Sequence, residues 1–379
     1  MNKLTVLQLV PKLDTGGVER GTFEIASALT NKNHRAIVVS GGGKFVPLLT
    51  EQKAIHICLP IGEKKLSSLA LIKKLRQIIV KNQVDIVHAR SRLPAWLGWW
   101  AIKGLPVLKR PLWVTTVHGP YSVNSYSKIM TSGDSVIVIS DFIKEYVLKN
   151  YPRVDPQSIK IIPRGVDTLA FNQMFEPSKE WQQAWREEHP RLTSDTCLLS
   201  LPGRLTRWKG QLEFIEMIRV LETKGIKAHG LIIGGAHQRH RTYEQELKKA
   251  ARDANIEHKI TFLGDRDDMR EILSISTISF SLTQEPEAFG RTTIEALSLG
   301  TPVIGYQHGG TGEILSELFP EGIIKTGDLT AAVEKTCSFL RDTLPGVKTN
   351  NIYTTSAMQN ATLETYSSLV ATKSSHPDS

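Results

Sequence analysis

The chain has 379 residues and a mass of 42.2 kDa, which is enough for two domains that each bury a core. Its 40% apolar and 22% charged residues are ordinary for a globular protein, and no apolar run is long enough to span a bilayer, which argues against a membrane-spanning chain. The net charge of +9 comes from residues 1–165, where 24 Lys and Arg oppose 10 Asp and Glu. This basic half predicts an anionic partner, such as a phospholipid surface or a phosphorylated acceptor, rather than nucleic acid.

The cysteines and the first residues bear on the cellular compartment. Cys58, Cys197 and Cys337 each lie in an apolar run, which predicts buried thiols, and no pair has the spacing of a metal or redox site. The sequence begins with a strand pattern and shows no signal peptide. We expect a cytoplasmic protein whose basic half allows peripheral contact with the inner face of a membrane.

The first half of the chain alternates short apolar runs with helical patterns. The runs that predict strands are residues 4–10, 36–40, 55–58, 86–88, 113–117, 135–139 and 159–162. Such alternation predicts a doubly wound parallel sheet, which binds ligands at the carboxyl ends of its strands. After the first run, Gly16-Gly17 would let the backbone approach a ligand, although the segment is neither a G-x-G-x-x-G fingerprint nor a P-loop.

Charged and aromatic residues in this half suggest which segments pack inward and which face a ligand. Residues 64–81 form a basic amphipathic pattern, which we expect to pack on the sheet rather than to lie on anionic lipid. Arg90 and Arg92 follow a strand segment, where they would face the ligand-binding edge and hold an acidic acceptor group. Three tryptophans on the next helical pattern are predicted core residues: Trp96, Trp99 and Trp100.

His118 follows the strand pattern at 113–117 and would therefore lie at the same edge, although a lone histidine is more often structural than catalytic. Ser140 predicts a helix N-cap. The polar, irregular stretch at 167–196 predicts a hinge. We therefore divide the chain into a first domain at 1–166 and a second domain at 167–353.

Cations and acids follow strand patterns in the second domain. Gly203-Arg204 and Lys209 lie in a strand-to-helix loop, where Arg and Lys suit a diphosphate, although two solvated cations are the simpler interpretation of the loop in isolation. Another strand ends at Gly264-Asp265. The Asp-x-Asp at 265–267 matches a metal-binding pattern, but we assign the acidic cluster to helix capping by Asp267 or Asp268.

Two carboxylates flank a turn in the run 285–305. Glu287 lies in a loop after a strand, and Glu295 lies about one turn into the following helix. Both would face one crevice beside the free amides of Gly290 and Arg291, which attract phosphate at a helix start. Because carboxylates accept hydrogen bonds from sugar hydroxyls, the whole run suits a nucleotide-sugar. For the pair of acids alone, solvated surface residues remain the alternative.

Taken in order, these motifs resemble the retaining glycosyltransferases of family four, the group 1 glycosyltransferases, which have the GT-B fold and include bacterial lipopolysaccharide and cell-surface glycan transferases. The resemblance runs from Leu4 to about Tyr366 and includes Gly16-Gly17-Val18-Glu19-Arg20, His118-Gly119, Gly203-Arg204-Leu205, Lys209-Gly210, Gly264-Asp265, the Glu-x7-Glu run and Gly309-Gly310-Thr311-Gly312-Glu313. One departure is Arg164, which stands where the family has Asn. Since Asn tolerates the left-handed conformation better, the local turn is expected to differ.

The resemblance implies an α/β architecture of two Rossmann-like doubly wound domains facing across a cleft, with a helix at 354–372 that crosses back to the N-terminal domain. It implies that Arg204 and Lys209 bind the leaving diphosphate, that Glu287 holds the donor sugar and that His118 contacts it. The other donor-binding residues that it implies are Gly16, Gly17, Gly203, Gly264, Asp265, Phe289, Gly290, Arg291 and, on the ribose, Glu295.

The implied function is transfer of a sugar from a nucleotide-diphosphate sugar, with UDP favoured, to a glycan or lipid-linked acceptor with retention of configuration. No metal ion or other cofactor is expected. A nucleotide-sugar epimerase of similar fold and a non-catalytic nucleotide-sugar-binding protein remain alternatives. A nucleic-acid-binding module would leave the second-domain motifs unexplained, so no nucleic-acid partner is predicted.

Overall fold

The computed structural model describes residues 3–14, 16–64, 68–192, 196–235, 241–341 and 344–375. The chain forms two compact units, of which the first comprises Met1–Arg164 with Thr355–Ser379 and the second comprises Gly165–Thr354. Each unit contains a parallel β-sheet and helices, so the predicted α/β class is confirmed.

The sheet of the first unit has seven strands in the order β3-β2-β1-β4-β5-β6-β7, and every neighbouring pair is parallel. The strands are β1 (Thr5–Leu9), β2 (Arg35–Ser40), β3 (Ile55–Cys58), β4 (Ile86–Ala89), β5 (Leu112–Val117), β6 (Ser135–Val138) and β7 (Ile159–Ile161). The strand order reverses at β1 and β4, and ligands bind such sheets beside this reversal.

The helices of the first unit are α1 (Gly17–Asn31), α2 (Val46–Glu51), α3 (Ser68–Lys81), α4 (Arg92–Lys103), α5 (Asp141–Asn150) and the C-terminal α13 (Thr355–Ser375). Apolar side chains of β1, β2, α1 and α13 share one core. Tyr366 of α13 belongs to this core, and its hydroxyl lies 2.6 Å from His88 Nδ1 on β4. The last helix is therefore tied to the middle of the first sheet.

The sheet of the second unit has six strands in the order β10-β9-β8-β11-β12-β13, again with parallel neighbours. The strands are β8 (Cys197–Pro202), β9 (Ala228–Ile233), β10 (Ile260–Gly264), β11 (Ile278–Ser281), β12 (Val303–Tyr306) and β13 (Ile323–Ile324). The helices are α6 (Lys179–Glu188), α7 (Gln211–Thr223), α8 (Arg241–Asp253), α9 (Met269–Ile275), α10 (Arg291–Ser298), α11 (Gly309–Leu318) and α12 (Leu329–Arg341).

The apolar stripe of α3 packs inward. Leu71, Leu75 and Ile79 are at most 7% exposed, whereas Lys73 and Lys74 are exposed. The interpretation that this amphipathic segment packs on its own domain is confirmed for Ser68–Lys81, while residues 65–67 of the predicted pattern lie outside the described residues. Over the described ranges, no helix combines the length and the apolar character needed to cross a bilayer.

Three local predictions are wrong. Cys58 is exposed rather than buried, because β3 is an edge strand of its sheet. Trp100 lies on the last turn of α4 and is 51% exposed rather than part of the core. Asp268 occupies the N-cap position of α9 without capping it, because its carboxylate accepts from Trp181 Nε1 and the Arg266 guanidinium instead.

Candidate active site

The carboxyl ends of the second sheet carry a continuous set of loops. Because β10, β9, β8, β11 and β12 are parallel neighbours, the loops that follow them lie side by side at one edge. Backbone hydrogen bonds join each loop to the next strand or loop: Gly234 N to Gly264 O, Gly203 N to Ile233 O, Gln284 N to Trp208 O and Gly310 N to Glu287 O. Residues predicted from separate motifs therefore share one edge.

Lys209 and Glu287 form an ion pair between Lys209 Nζ and Glu287 Oε1. Their side chains are only 14% and 16% exposed, so solvent screens this pair less than a surface pair. The ammonium also lies 4.6 Å from the centroid of the Trp208 ring, a favourable cation–π distance. The pairing follows from the sheet order, because β8, which leads to Lys209, is the neighbour of β11, which leads to Glu287.

A glycine allows these two loops to meet. Gly210 has φ +80°, and a Cβ at this position would lie 2.2 Å from the carbonyl oxygen of Leu282. A larger residue would push the β8 and β11 loops apart. In the same loop Arg204 is exposed, and within the described residues no hydrogen bond or ion pair holds its guanidinium. Lys209 is thus fixed by its neighbours, whereas Arg204 is available to an anion.

The helix α10 begins at Arg291, directly after Gly290 at φ +100°, and no side chain caps it. Its first amides are therefore suited to an anion. Arg291 Nε donates to Glu295 Oε1 at 2.9 Å, so the carboxylate of Glu295, whose side chain is 10% exposed, has a cation beside it. The Phe289 ring packs edge-on against the Tyr353 ring, with 5.9 Å between the ring centroids.

Gly264 and Asp265 lie after β10 at the same edge. Gly264 has φ +66°, and Asp265 Oδ1 accepts a hydrogen bond of 2.7 Å from the Gly235 amide. This carboxylate therefore organises the neighbouring loop. In the part of the chain that the structure describes, no cluster of three or more His, Cys, Asp or Glu is arranged to hold a metal ion.

In the first unit, His118 follows β5 and contacts a residue that the motifs do not assign to the site. Arg164 Nη2 lies 2.6 Å from His118 Nδ1, and Arg164 Nη1 lies 3.7 Å from Met358 Sδ on α13. Gly21 on α1 makes room for this guanidinium, because a Cβ there would lie 2.3 Å from Arg164 Nη1. The sequence signal for this contact is Arg164 itself, a long cation where the resembled family has Asn.

This contact fixes the proton of the imidazole ring. A guanidinium only donates hydrogen bonds, so His118 Nδ1 must accept and the ring proton lies on Nε2. Burial, followed by the charges of Arg164 and Arg90, lowers the pKa of His118 well below its ordinary value, so the ring stays neutral. Among the described residues, the buried Nε2 has no hydrogen-bond partner. It is therefore a donor ready for an oxygen of a ligand.

The two arginines of the acceptor-side prediction differ in placement. Arg92 is partly buried at the start of α4, with its guanidinium 4.9 Å from the Tyr121 ring centroid and 5.5 Å from that of Tyr126. Arg90 is 2% exposed, and its Nε donates to Gln8 Oε1 at 2.8 Å. The structure thus places Arg90 in the interior, contrary to the expectation from sequence, and leaves Arg92 accessible.

Gly16 and Gly17 begin α1 beside the strand reversal of the first sheet. Gly16 is the N-cap residue, with φ +155°, and no side chain caps the helix. A Cβ on Gly17 would meet no atom within 4 Å, so the space beside it is open. These first amides of α1 are accessible to a ligand.

Two protein-family models match this chain. Residues 15–169 match the family model described as Glycosyltransferase Family 4, and residues 182–357 match Glycosyl transferases group 1. The crystal structure of a glycosyltransferase from Rickettsia africae is 30% identical, covers 98% of this chain and 99% of its own, and superposes with a TM-score of 0.84. The Escherichia coli UDP-Gal:alpha-D-GlcNAc-diphosphoundecaprenol alpha-1,3-galactosyltransferase is 23% identical over 92% of this chain and 90% of its own length. A protein from Anabaena in complex with UDP and glucose has a TM-score of 0.75 at 19% identity, over 98% of this chain and 99% of its own.

Proposed function

Because the chain belongs to the family 4, group 1 glycosyltransferases and has their GT-B fold, we propose that it transfers a sugar from a UDP-sugar to a glycan or lipid-linked acceptor with retention of configuration. The Anabaena protein solved with UDP and glucose and the Escherichia coli enzyme named for UDP-Gal and a diphosphoundecaprenol acceptor support this choice. The basic residues 1–165 favour an anionic acceptor. We place the reaction in lipopolysaccharide or other cell-surface polysaccharide biosynthesis, at the cytoplasmic face of the membrane and without a metal ion.

The contact between Lys209 and Glu287 carries this proposal. A nucleotide-sugar needs a cation for its diphosphate and an acceptor for its sugar hydroxyls within a short distance of each other, and these two side chains touch. Arg204 and the uncapped start of α10 extend the positive side of the edge.

Charge development in the reaction assigns the roles. The bond between the anomeric carbon and the diphosphate oxygen breaks, so the sugar becomes oxocarbenium-like and the diphosphate gains negative charge. Arg204, Lys209 and the amides around Gly290 would stabilise that charge more in the transition state than in the bound donor. The acceptor hydroxyl attacks from the leaving-group side, its proton passes to the departing diphosphate, and no residue acts as a nucleophile.

The remaining residues would orient the donor. Glu287 would hold sugar hydroxyls and Glu295 the ribose, while the backbone near Gly264 would meet the base. In the first unit, the Nε2 proton of His118 would be donated to an oxygen of the sugar, and the amides at Gly17 would contact the diphosphate.

Two measurements test the proposal. A thermal-shift panel of UDP-, GDP- and ADP-sugars should give the largest rise with a UDP-sugar, since about 2.7 kcal/mol of stabilisation is expected at a hundredfold excess over Kd. Donor consumption should then require an acceptor, such as a diphosphate-linked lipid sugar. A converted nucleotide-sugar released without acceptor would indicate an epimerase, and binding without turnover would indicate a donor-binding protein. No shift with any nucleotide-sugar would refute the proposal.

A further inference from the structure

The last turn of α4 and the segment that leads from it to β5 expose large apolar side chains. Leu108 is 81%, Val107 65% and Trp100 51% exposed. Trp99 connects them, because its ring centroid lies 4.8 Å from that of Trp100 and its side chain lines the same hollow as Val107. Val107 and Leu108 belong to a 3-10 turn, Val107–Lys109, which gives their side chains an ordered arrangement. Such a concentration within one short segment is a patch rather than scattered surface residues.

The charges around this patch are basic. Between Asp85 and Asp134 the sequence contains no acidic residue, and Lys103, Lys109 and Arg110 lie at the end of α4 or in the segment that follows it. Lys103 and Lys109 are exposed, and Lys373 of α13 donates to the backbone carbonyl of Arg110. Asp134 lines the same hollow, but its carboxylate accepts from a backbone amide of β5. The patch thus combines apolar side chains with a positive field.

We propose that this surface, formed by Trp100, Val107–Lys109, Lys103 and Lys373, docks the protein on an anionic lipid bilayer. Trp and aliphatic side chains enter the interface between headgroups and acyl chains, while lysines reach the phosphates. A second copy of the chain is a poor occupant, because it would bring like charges together. A stable protein interface also buries about 800 Å² on each side, more than three apolar side chains supply.

The surface lies away from His118, the candidate site residue that follows β5 in the first unit. The segment precedes β5, whereas His118 follows β5, so they lie at opposite edges of the first sheet. The stripe of α3 cannot provide this contact, since it is buried. The purpose of docking rests on the proposed lipid-linked acceptor, but lipid binding itself is measured without donor or acceptor, so the two proposals can fail separately.

Vesicle sedimentation with the full chain tests the surface. Vesicles of phosphatidylcholine with a minority of phosphatidylglycerol should bind the protein, and added salt should weaken binding. Leu108→Glu should lower the partition coefficient at least about tenfold, because it replaces an inserted side chain with a repelled charge. Lys109→Ala should lower it roughly fivefold. Leu169→Glu is the matched control, since Leu169 is 89% exposed in the second unit and should bind lipid unchanged.

Each remaining outcome would overturn the proposal. The first is that the unmodified protein does not bind the vesicles. The second is that Leu108→Glu and Leu169→Glu lose vesicle binding equally. The third is that the unmodified protein binds pure phosphatidylcholine as well as it binds the vesicles that contain phosphatidylglycerol. Conversion of a dimer to a monomer by Leu108→Glu in light scattering would assign the surface to a second copy. Unchanged far-UV circular dichroism, and an unchanged thermal shift with UDP, ensure that a loss of lipid binding is not a loss of folding.

Discussion

Removing the charge of Lys209 tests whether its ion pair both stabilises the second unit and serves the reaction. In Lys209→Met the side-chain stem remains beside Trp208, but Glu287 keeps a carboxylate that is 16% exposed without its partner. Loss of one partner costs about 3–5 kcal/mol in a fully buried pair and about 0–1 kcal/mol in an exposed one. For this degree of burial we expect about 2 kcal/mol of destabilisation.

That change should lower the melting temperature by roughly 4–8 °C in a domain of this size. Lys248→Met is the matched control, because the Lys248–Glu244 pair is 45% and 34% exposed and should shift melting by less than about 2 °C. Turnover of the donor should fall about 10²- to 10³-fold in Lys209→Met, the usual effect of removing one group that stabilises developing charge. Donor binding should change less than turnover, because the group acts mainly in the transition state.

Scanning fluorimetry without ligand and steady-state kinetics with the donor measure the two effects. Glu287→Gln and the double variant complete a thermodynamic cycle. The double variant should be less destabilised than the sum of the single changes by about 2 kcal/mol, because neither charge is left unpaired. If Lys209→Met melts like Lys248→Met and retains full turnover, the pair is neither stabilising nor catalytic and the reasoning is wrong.

Three further changes probe single contacts. Arg164→Asn removes the cation beside His118, so the pKa of that ring should rise toward its ordinary value in an NMR titration, and an unchanged pKa would contradict the contact. Burial lowers the pKa of His229 to about 4, so folding stability should fall as the pH drops from 6.5 toward 4, by at most about 1.4 kcal/mol per pH unit. Urea unfolding should show a shallower pH dependence for His229→Asn, and equal slopes would refute this cause. Gly290→Ala should cost about 1–3 kcal/mol of stability, since φ is +100° and the new Cβ would lie 2.7 Å from a threonine hydroxyl. Gly225→Ala, at φ +71° in open space, should lower the melting temperature less than Gly290→Ala does. An equal fall in melting temperature would show that the contact with the threonine hydroxyl does not destabilise Gly290→Ala.

The strands could be predicted because buried parallel strands are continuous apolar runs. β3 begins and ends at the predicted residues, Ile55–Cys58, and Ser140 caps α5 through the Ile143 amide as its position indicates. The two-residue strand β13 is not predicted, because it is too short to show a period.

The members of the candidate site could be predicted from loop motifs, but their partners could not. Lys209 and Glu287 are separated by 78 positions, and only the adjacency of β8 and β11 brings them into contact. Arg164 reaches His118 across 46 positions because a glycine on α1 leaves space. Arg90 is buried because a neighbouring strand supplies Gln8 as its partner. Such contacts depend on strand order and register, which local patterns do not encode.

The last helix has a consequence for the order in which the protein can fold. Tyr366 is fully buried against β4, so the first unit lacks part of its interior until α13 has been made. The second unit is one uninterrupted stretch, Gly165–Thr354, and all of it leaves the ribosome before α13. The second unit can therefore reach its native state before α13 is available to complete the first unit. A nascent chain stalled before Tyr366 would expose the apolar surface of the first unit against which α13 packs. Chaperones bind exposed apolar surfaces of this kind.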